Sequence, residues 1–326
     1  MEIGYWLSSE EHTPNDLVRY AQQAETIGFT FAQISDHYHP WIDRQGHNPF
    51  VWSVIGGIAQ ATEHLRLQTA VTCPIMRIHP AIIAQAAATA AAMMPGRFLL
   101  GLGTGENLNE HILGDHWPPI ETRQAMLREA VEVIRLLWQG GLQSYTGQYY
   151  TVENARLYTL PAEPPPIFIA AAGPNSAELA GHIGDGLIST SPDAELVQTF
   201  HKAGGKGKPI YGKVTVCWAE SEAQARRTAY EIWPTAGLSG GALNSELALP
   251  SYFEQAVQMV TEEDVAEQVI CEADPDRYVT AIQKYADASF DCVSLHQIGP
   301  DQRGFFEFYQ REVLPRLQHV KQVNIN

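Results

Sequence analysis

The chain has 326 residues, 45% of them apolar and 18% charged, a globular composition at a length that suits one large α/β barrel as well as two domains. Lys and Arg number 21 against 37 Asp and Glu, and the resulting charge of −16 repels phosphate backbones and anionic membranes, so neither nucleic acid nor a membrane is expected as a partner. Cys73, Cys217, Cys271 and Cys292 lack the paired spacing of zinc or redox sites, and no early apolar stretch is long enough for a signal or a membrane span; reduced thiols in a cytoplasmic enzyme are expected.

Ile3 to Leu7 reads as a buried strand. Thr13-Pro14-Asn15-Asp16 then supplies an N-cap, a proline at the first helical position and an early acid, and Gly28 ends the helix. Phe29 to Ser35 is the second strand. Leu65 to Thr72 and Phe98 to Gly103 follow as strands, separated by an alanine-rich helix over Pro80 to Met94. Glu121 to Trp138 has helical periodicity, and Tyr145 to Leu160 has the aromatic, turn-punctuated pattern of a hairpin. Ile167 to Ala171, Leu187 to Thr190, Tyr211 to Trp218 and Cys292 to Gln297 complete eight strands with helical sequence between them. That alternation predicts a (β/α)8 TIM barrel, a single domain over 1–326 with insertions at about 141–166 and 230–275.

In such a barrel the chemistry belongs past the C-terminal ends of the strands. Glu10, Asp36-His37, Ala70 to Cys73, Gly103 to Asn109, Ala171-Ala172-Gly173-Pro174 and Thr190-Ser191 all fall there and should converge on one mouth. An ionisable pair such as Asp36-His37 suits proton transfer, although a histidine at a strand end also serves as a loop staple. Gly101-Leu102-Gly103-Thr104-Gly105-Glu106 resembles a dinucleotide fingerprint with its third glycine one residue early; it permits either close approach to a flat ligand or a tight turn. Ala171 to Ser176 opens a helix after a strand, where free backbone N–H groups could receive an anion or be capped by Asn175 or Ser176. His37, His39 and His47 match no standard metal spacing, so no metal is expected.

Taken together, Ile34-Ser35-Asp36-His37 with Pro40-Trp41, Pro80 to Gln85 with Pro95-Gly96-Arg97, Gly103 to Glu110 and Gly184 to Ile188 resemble the coenzyme F420-dependent glucose-6-phosphate dehydrogenase family of the luciferase-like superfamily, nearly end to end. The resemblance implies a homodimeric barrel that binds a deazaflavin at its mouth and moves hydride between its C5 and a substrate carbinol. His37 would then take the hydroxyl proton, Trp41 would hold the substrate against the ring, and Glu106 would supply a proton near N1 of the reduced ring. Asp36, Ala70, Val71, Cys73, Asn109, Ala172 and Gly173 match coenzyme positions, with Ala70-Val71 at the family's non-proline cis-peptide bulge. Cys73 replaces a threonine there. Glu10, Trp41 and Thr190 fall at substrate positions. An FMN-dependent monooxygenase or flavin reductase, or a catalytically inactive flavin-binding barrel, remain as alternatives on the same fold.

One departure bears on the substrate. Thr190-Ser191 is followed by Pro192-Asp193, an acid where sugar-phosphate members place a lysine, and no Lys or Arg occurs between Arg227 and Arg277. Lys206 and Lys208 precede a strand and so face the other end of the barrel. A phosphate dianion would be repelled there, which points to an uncharged alcohol, free sugar or carbonyl compound.

Overall fold

Eight short apolar runs become parallel strands that close on themselves in the computed structural model, which describes residues 1–238 and 241–317. In chain order the strands are β1 (Glu2–Leu7), β2 (Phe31–Ile34), β3 (Arg66–Thr69), β4 (Phe98–Leu102), β5 (Gln143–Thr146), β6 (Thr151–Ala155), β7 (Ile167–Ala170), β8 (Gly186–Ile188), β9 (Ile210–Val216) and β10 (Cys292–Gln297). The closed sheet runs β1-β10-β9-β8-β7-β4-β3-β2, while β5 and β6 pair antiparallel as a separate hairpin. All eight expected barrel strands are present, and the architecture is a luciferase-like TIM barrel. Several are shorter than the apolar runs suggested; β2 begins at Phe31 and β8 ends at Ile188 because the flanking residues already turn toward helices or the mouth.

Local chemistry sets the helix boundaries. Thr13 accepts a hydrogen bond from the Asp16 amide at the start of helix Pro14–Ile27, and Gly28, at φ 106°, returns its own amide to the Ala24 and Glu25 carbonyls. Leu17, Ala21 and Ala24 form the buried face. Helix Pro80–Met93 buries Ala84, Ala87, Ala88 and Ala91, small side chains that let it lie close to helix Ile120–Trp138. At the C-terminal end, Phe306 packs on Tyr5 at 4.7 Å and Tyr309 stacks on Phe29 at 4.2 Å, an aromatic seal on the barrel.

The barrel interior is layered. Phe31, Leu99, Phe168, Tyr211 and Cys292 plug its lower end. One layer nearer the mouth lies a polar rung, in which Gln33 donates to Gln68 at 2.6 Å and Ser294 donates to Gln33 at 2.5 Å. Side chains at the next inward positions reach the open end. The segment from 230 to 275 adds a 3-10 turn at Pro234–Gly237 and helices Gly241–Glu246, Pro250–Ala256 and Glu262–Gln268 beside that mouth. Lys208 donates to the Gly181 and Gly184 carbonyls, away from the mouth. Among the described residues no helix is long and apolar enough to cross a membrane.

Candidate active site

The strand ends enclose a cavity of about 580 Å³. Glu10, Asp36, His37, Trp41, Ala70, Val71, Cys73, Glu106, Asn109, Ala172 and Thr190 all line it; Gly173 does not, but caps helix Pro174–Ile183 beside it, while Ser176 reaches the wall. Among the described residues no group of three or more His, Cys, Asp or Glu side chains is arranged for a metal.

His37 projects from the loop after β2 between two carboxylates. Its Nδ1 lies 3.5 Å from Glu10 and its Nε2 3.6 Å from Glu106, and Nδ1 has no hydrogen-bond partner among the described residues. Trp41 meets the imidazole edge-on at 5.2 Å and is itself backed by Phe253 at 5.1 Å. Glu10 is buried behind the ring, where Ser35 and Ser8 donate to it at 2.7 and 2.9 Å. Burial pushes its carboxyl up, but the His37 charge and these hydrogen bonds overcome that and hold it below the usual carboxylate range. This placement suits Glu10 to orienting the imidazole.

Asp36, the neighbour of His37, faces the opposite way. Thr72 donates to one carboxylate oxygen at 2.7 Å and Arg77 to the other at 2.9 Å. Arg77 also stands 3.5 Å from Glu110, whose second oxygen accepts the Arg77 amide at 2.8 Å. Burial raises the Glu110 carboxyl despite that guanidinium. The side chain of Asn109 works within the protein too: its oxygen accepts the Tyr38 and His39 amides at 2.8 and 3.2 Å, and its nitrogen donates to Glu106 at 3.1 Å. It ties the His37 loop to Glu106.

The peptide bond Ala70–Val71 is cis and follows β3 directly. Gly103 and Gly105 are explained by this bulge rather than by a ligand. A Cβ on Gly103 would lie 2.5 Å from Val71, and one on Gly105, at φ 72°, would lie 2.6 Å from the Cys73 sulfur. The glycines therefore seat the end of β4 against Val71 and Cys73. Cys73 is buried, which raises its thiol pKa well above normal.

The structure also brings in residues the sequence reading passed over: Arg77, Glu110, Trp6, Trp233, Arg123 and Lys213. Lys213 sits on β9 with its ammonium 4.4 Å from the Trp6 ring centroid. Its signal was present in the strand alternation, since Tyr211, Lys213 and Thr215 share the inward register of β9. Glu11 is a further buried acid, accepting Trp233 at 2.5 Å and the Gly299 amide at 2.7 Å, with His296 at 3.1 Å.

A closed parallel barrel with its acids and His37 at the C-terminal mouth defines a luciferase-like protein, and the luciferase-like monooxygenase family model matches residues 1–292. Within that superfamily the chain belongs to the F420-dependent glucose-6-phosphate dehydrogenase family. It is 37% identical to the F420-dependent glucose-6-phosphate dehydrogenase of Nocardia farcinica over 98% of both chains, and 35% identical to that of Segniliparus rotundus over 98% of this chain and 99% of the other. Among solved structures it is similar to an F420-dependent secondary alcohol dehydrogenase in complex with an F420-acetone adduct, with a TM-score of 0.89 and 29% identity over 96% of this chain and 98% of that one. The F420-dependent tetrahydromethanopterin reductase of Methanopyrus kandleri shares the fold, with a TM-score of 0.78 at 21% identity over 97% and 99% of the two chains.

Proposed function

We propose that the protein is a coenzyme F420-dependent oxidoreductase in which the deazaflavin exchanges hydride at C5 with the carbinol or carbonyl carbon of an uncharged small molecule rather than of glucose 6-phosphate. The observation that carries this reading is His37, a ring held between two carboxylates at the mouth with one nitrogen unbonded.

The mouth fits the coenzyme. Ala70, Val71, Gly103, Ala170, Ala171 and Ala172 present backbone and small side chains along one wall, a surface on which a flat tricycle can lie. Ser176 and the amides that open helix Pro174–Ile183 would receive its anionic side chain. His37 takes the hydroxyl proton as the carbinol C–H bond weakens, and returns it in the reverse direction. Glu10 orients the imidazole. Glu106, on the Nε2 side of the imidazole, would supply the proton that the reduced ring takes up near N1 and recover it in the reverse direction. Trp41 fixes the substrate on the remaining side.

The charges at the mouth support a neutral substrate. Asp193 caps helix Ala194–Phe200, accepting the Glu195 and Leu196 amides, so an acid occupies the rim after β8. Arg123 is already 3.3 Å from Glu246 and stacked 4.1 Å over Trp117. The relatives from Nocardia farcinica and Segniliparus rotundus carry glucose 6-phosphate in their names, while the alcohol dehydrogenase was solved with an acetone adduct, a neutral carbonyl compound.

Titration of the apoprotein with F420 and with FMN, followed by turnover of neutral alcohols and of glucose 6-phosphate, tests the proposal. Tight F420 binding with reduction by a neutral alcohol is expected. Tight FMN binding with oxygen consumption, or glucose 6-phosphate turnover well above that of neutral alcohols, would overturn it.

A further inference from the structure

Lys213 has no task in that chemistry, yet it forms part of the wall of two cavities. The second, of about 500 Å³, adjoins the first and shares Thr190 and Lys213 with it. The Lys213 ammonium makes no hydrogen bond among the described residues and rests against the Trp6 ring. Its three N–H donors are therefore unfilled at a pocket wall. Its surroundings are acidic: the nearby carboxylates Glu10, Glu106 and Glu11 favour the charged form, although burial outweighs them and pulls its pKa down. An ammonium with empty donors among three acids suits neutral oxygen acceptors better than a further anion, which those acids would repel.

The second cavity continues this character. Apart from Lys213, its cations Arg226, Arg277 and Lys284 are equalled in number by the acids Glu222, Glu267 and Glu272. Arg277 lies 2.8 Å from Glu272, and Arg226 3.3 Å from Glu222. Ser191, Thr215 and Gln268 add uncharged polar groups.

We propose that Lys213 is a specificity-determining residue that donates hydrogen bonds to a second hydroxyl or a ring oxygen of an unphosphorylated, polyhydroxylated substrate, a polyol or free sugar whose far end lies in the second cavity. This rests on the neutral-alcohol reading above. The substrate's oxidised carbon faces His37, and the oxygens beyond it reach Lys213.

The test compares kcat/KM for sorbitol, glucose, propan-2-ol and glucose 6-phosphate in the wild type and in Lys213→Met, which keeps the apolar stem and removes charge and donors. The wild type is expected to favour sorbitol or glucose over propan-2-ol by tenfold or more. In Lys213→Met that ratio should fall at least tenfold, mainly through KM, with Lys213→Arg restoring part of it. A wild-type preference for propan-2-ol or for glucose 6-phosphate, or a ratio unchanged in Lys213→Met, overturns the role of Lys213. Should Lys213→Met not fold, the same ratio in Lys213→Gln decides the matter, with an unchanged ratio again overturning the role. If none of the neutral alcohols reduces F420, the proposed function itself fails; if propan-2-ol is oxidised and the sugars gain nothing, only the assignment to Lys213 fails.

Discussion

On the Asp36 side of the mouth, Thr72 and Arg77 fill both oxygens of Asp36, and Glu110 holds the Arg77 amide at 2.8 Å. On the His37 side, the ring stands 3.5 and 3.6 Å from its carboxylates, Nδ1 has no hydrogen-bond partner among the described residues, and the Lys213 ammonium rests against the Trp6 ring. Neighbouring residues in the chain, Asp36 and His37, thus enter two different regimes. Groups that are satisfied within the protein fix the shape of the wall, whereas groups left short of partners retain hydrogen-bonding capacity for whatever enters. The difference predicts geometry on one side and chemistry on the other.

The strongest way to break this division is His37→Ala. Loss of a positioned proton acceptor should lower kcat by about 10²–10⁴-fold, while F420 affinity, read by fluorescence titration, should hold. Turnover close to wild type would place the chemistry elsewhere. On the satisfied side the expected loss is in folding instead. Arg77→Met strands Asp36 and Glu110 as buried acids, and removing one partner from such a cluster costs about 3–5 kcal/mol. Urea denaturation would reveal this; a stability within error of wild type would mean that the Asp36 side is no more rigid than the His37 side.

The sequence carried the eight strands because each is a short apolar run followed by helical periodicity, and strand ends in a barrel locate the mouth. It placed His37 and Glu106 at that mouth for the same reason, and both line the cavity; Trp41 came in only with the family resemblance. It did not reveal which partners each side chain takes. Asp36 and His37 are adjacent letters, but their opposite surroundings depend on Arg77 and Glu110 on one side and Glu10 on the other, residues separated by tens of positions. Gly103 and Gly105 were legible as a need for close approach; that Val71 and Cys73 approach them required the fold. Lys213 was missed because an isolated lysine within an apolar strand reads as surface until the inward register is followed.

A smaller effect sharpens the same contrast at the bulge. Gly103→Ala places a methyl group 2.5 Å from Val71, so overpacking should cost about 1–3 kcal/mol and shift the wall proposed to receive the coenzyme. Lowered thermal stability together with weaker F420 binding is expected. Stability alone changing would separate the bulge from the coenzyme wall.

The smallest effect concerns His296, which belongs to both regimes: its Nε2 lies 3.1 Å from Glu11, and its Nδ1 has no partner. Burial pulls its pKa well below 6.5; the Lys213 charge adds to this and Glu10 opposes it. Below pH 6.5 the unfolded chain therefore takes up a proton at this site that the folded protein refuses, so stability falls on acidification with a limiting slope of about 1.4 kcal/mol per pH unit. Glu11 works in the opposite direction. Burial raises its carboxyl, so the folded state holds a proton there above pH 4.5 that the unfolded chain has released, and stability declines as pH rises from that point. Between pH 4.5 and 6.5 the two partners of one contact oppose each other. His296→Gln removes only the first contribution. Urea denaturation across that window should then show the variant losing stability relative to wild type as pH rises. Identical slopes would mean that His296 takes up its proton in the fold, and that its unbonded nitrogen is available to solvent or substrate rather than sealed in the barrel.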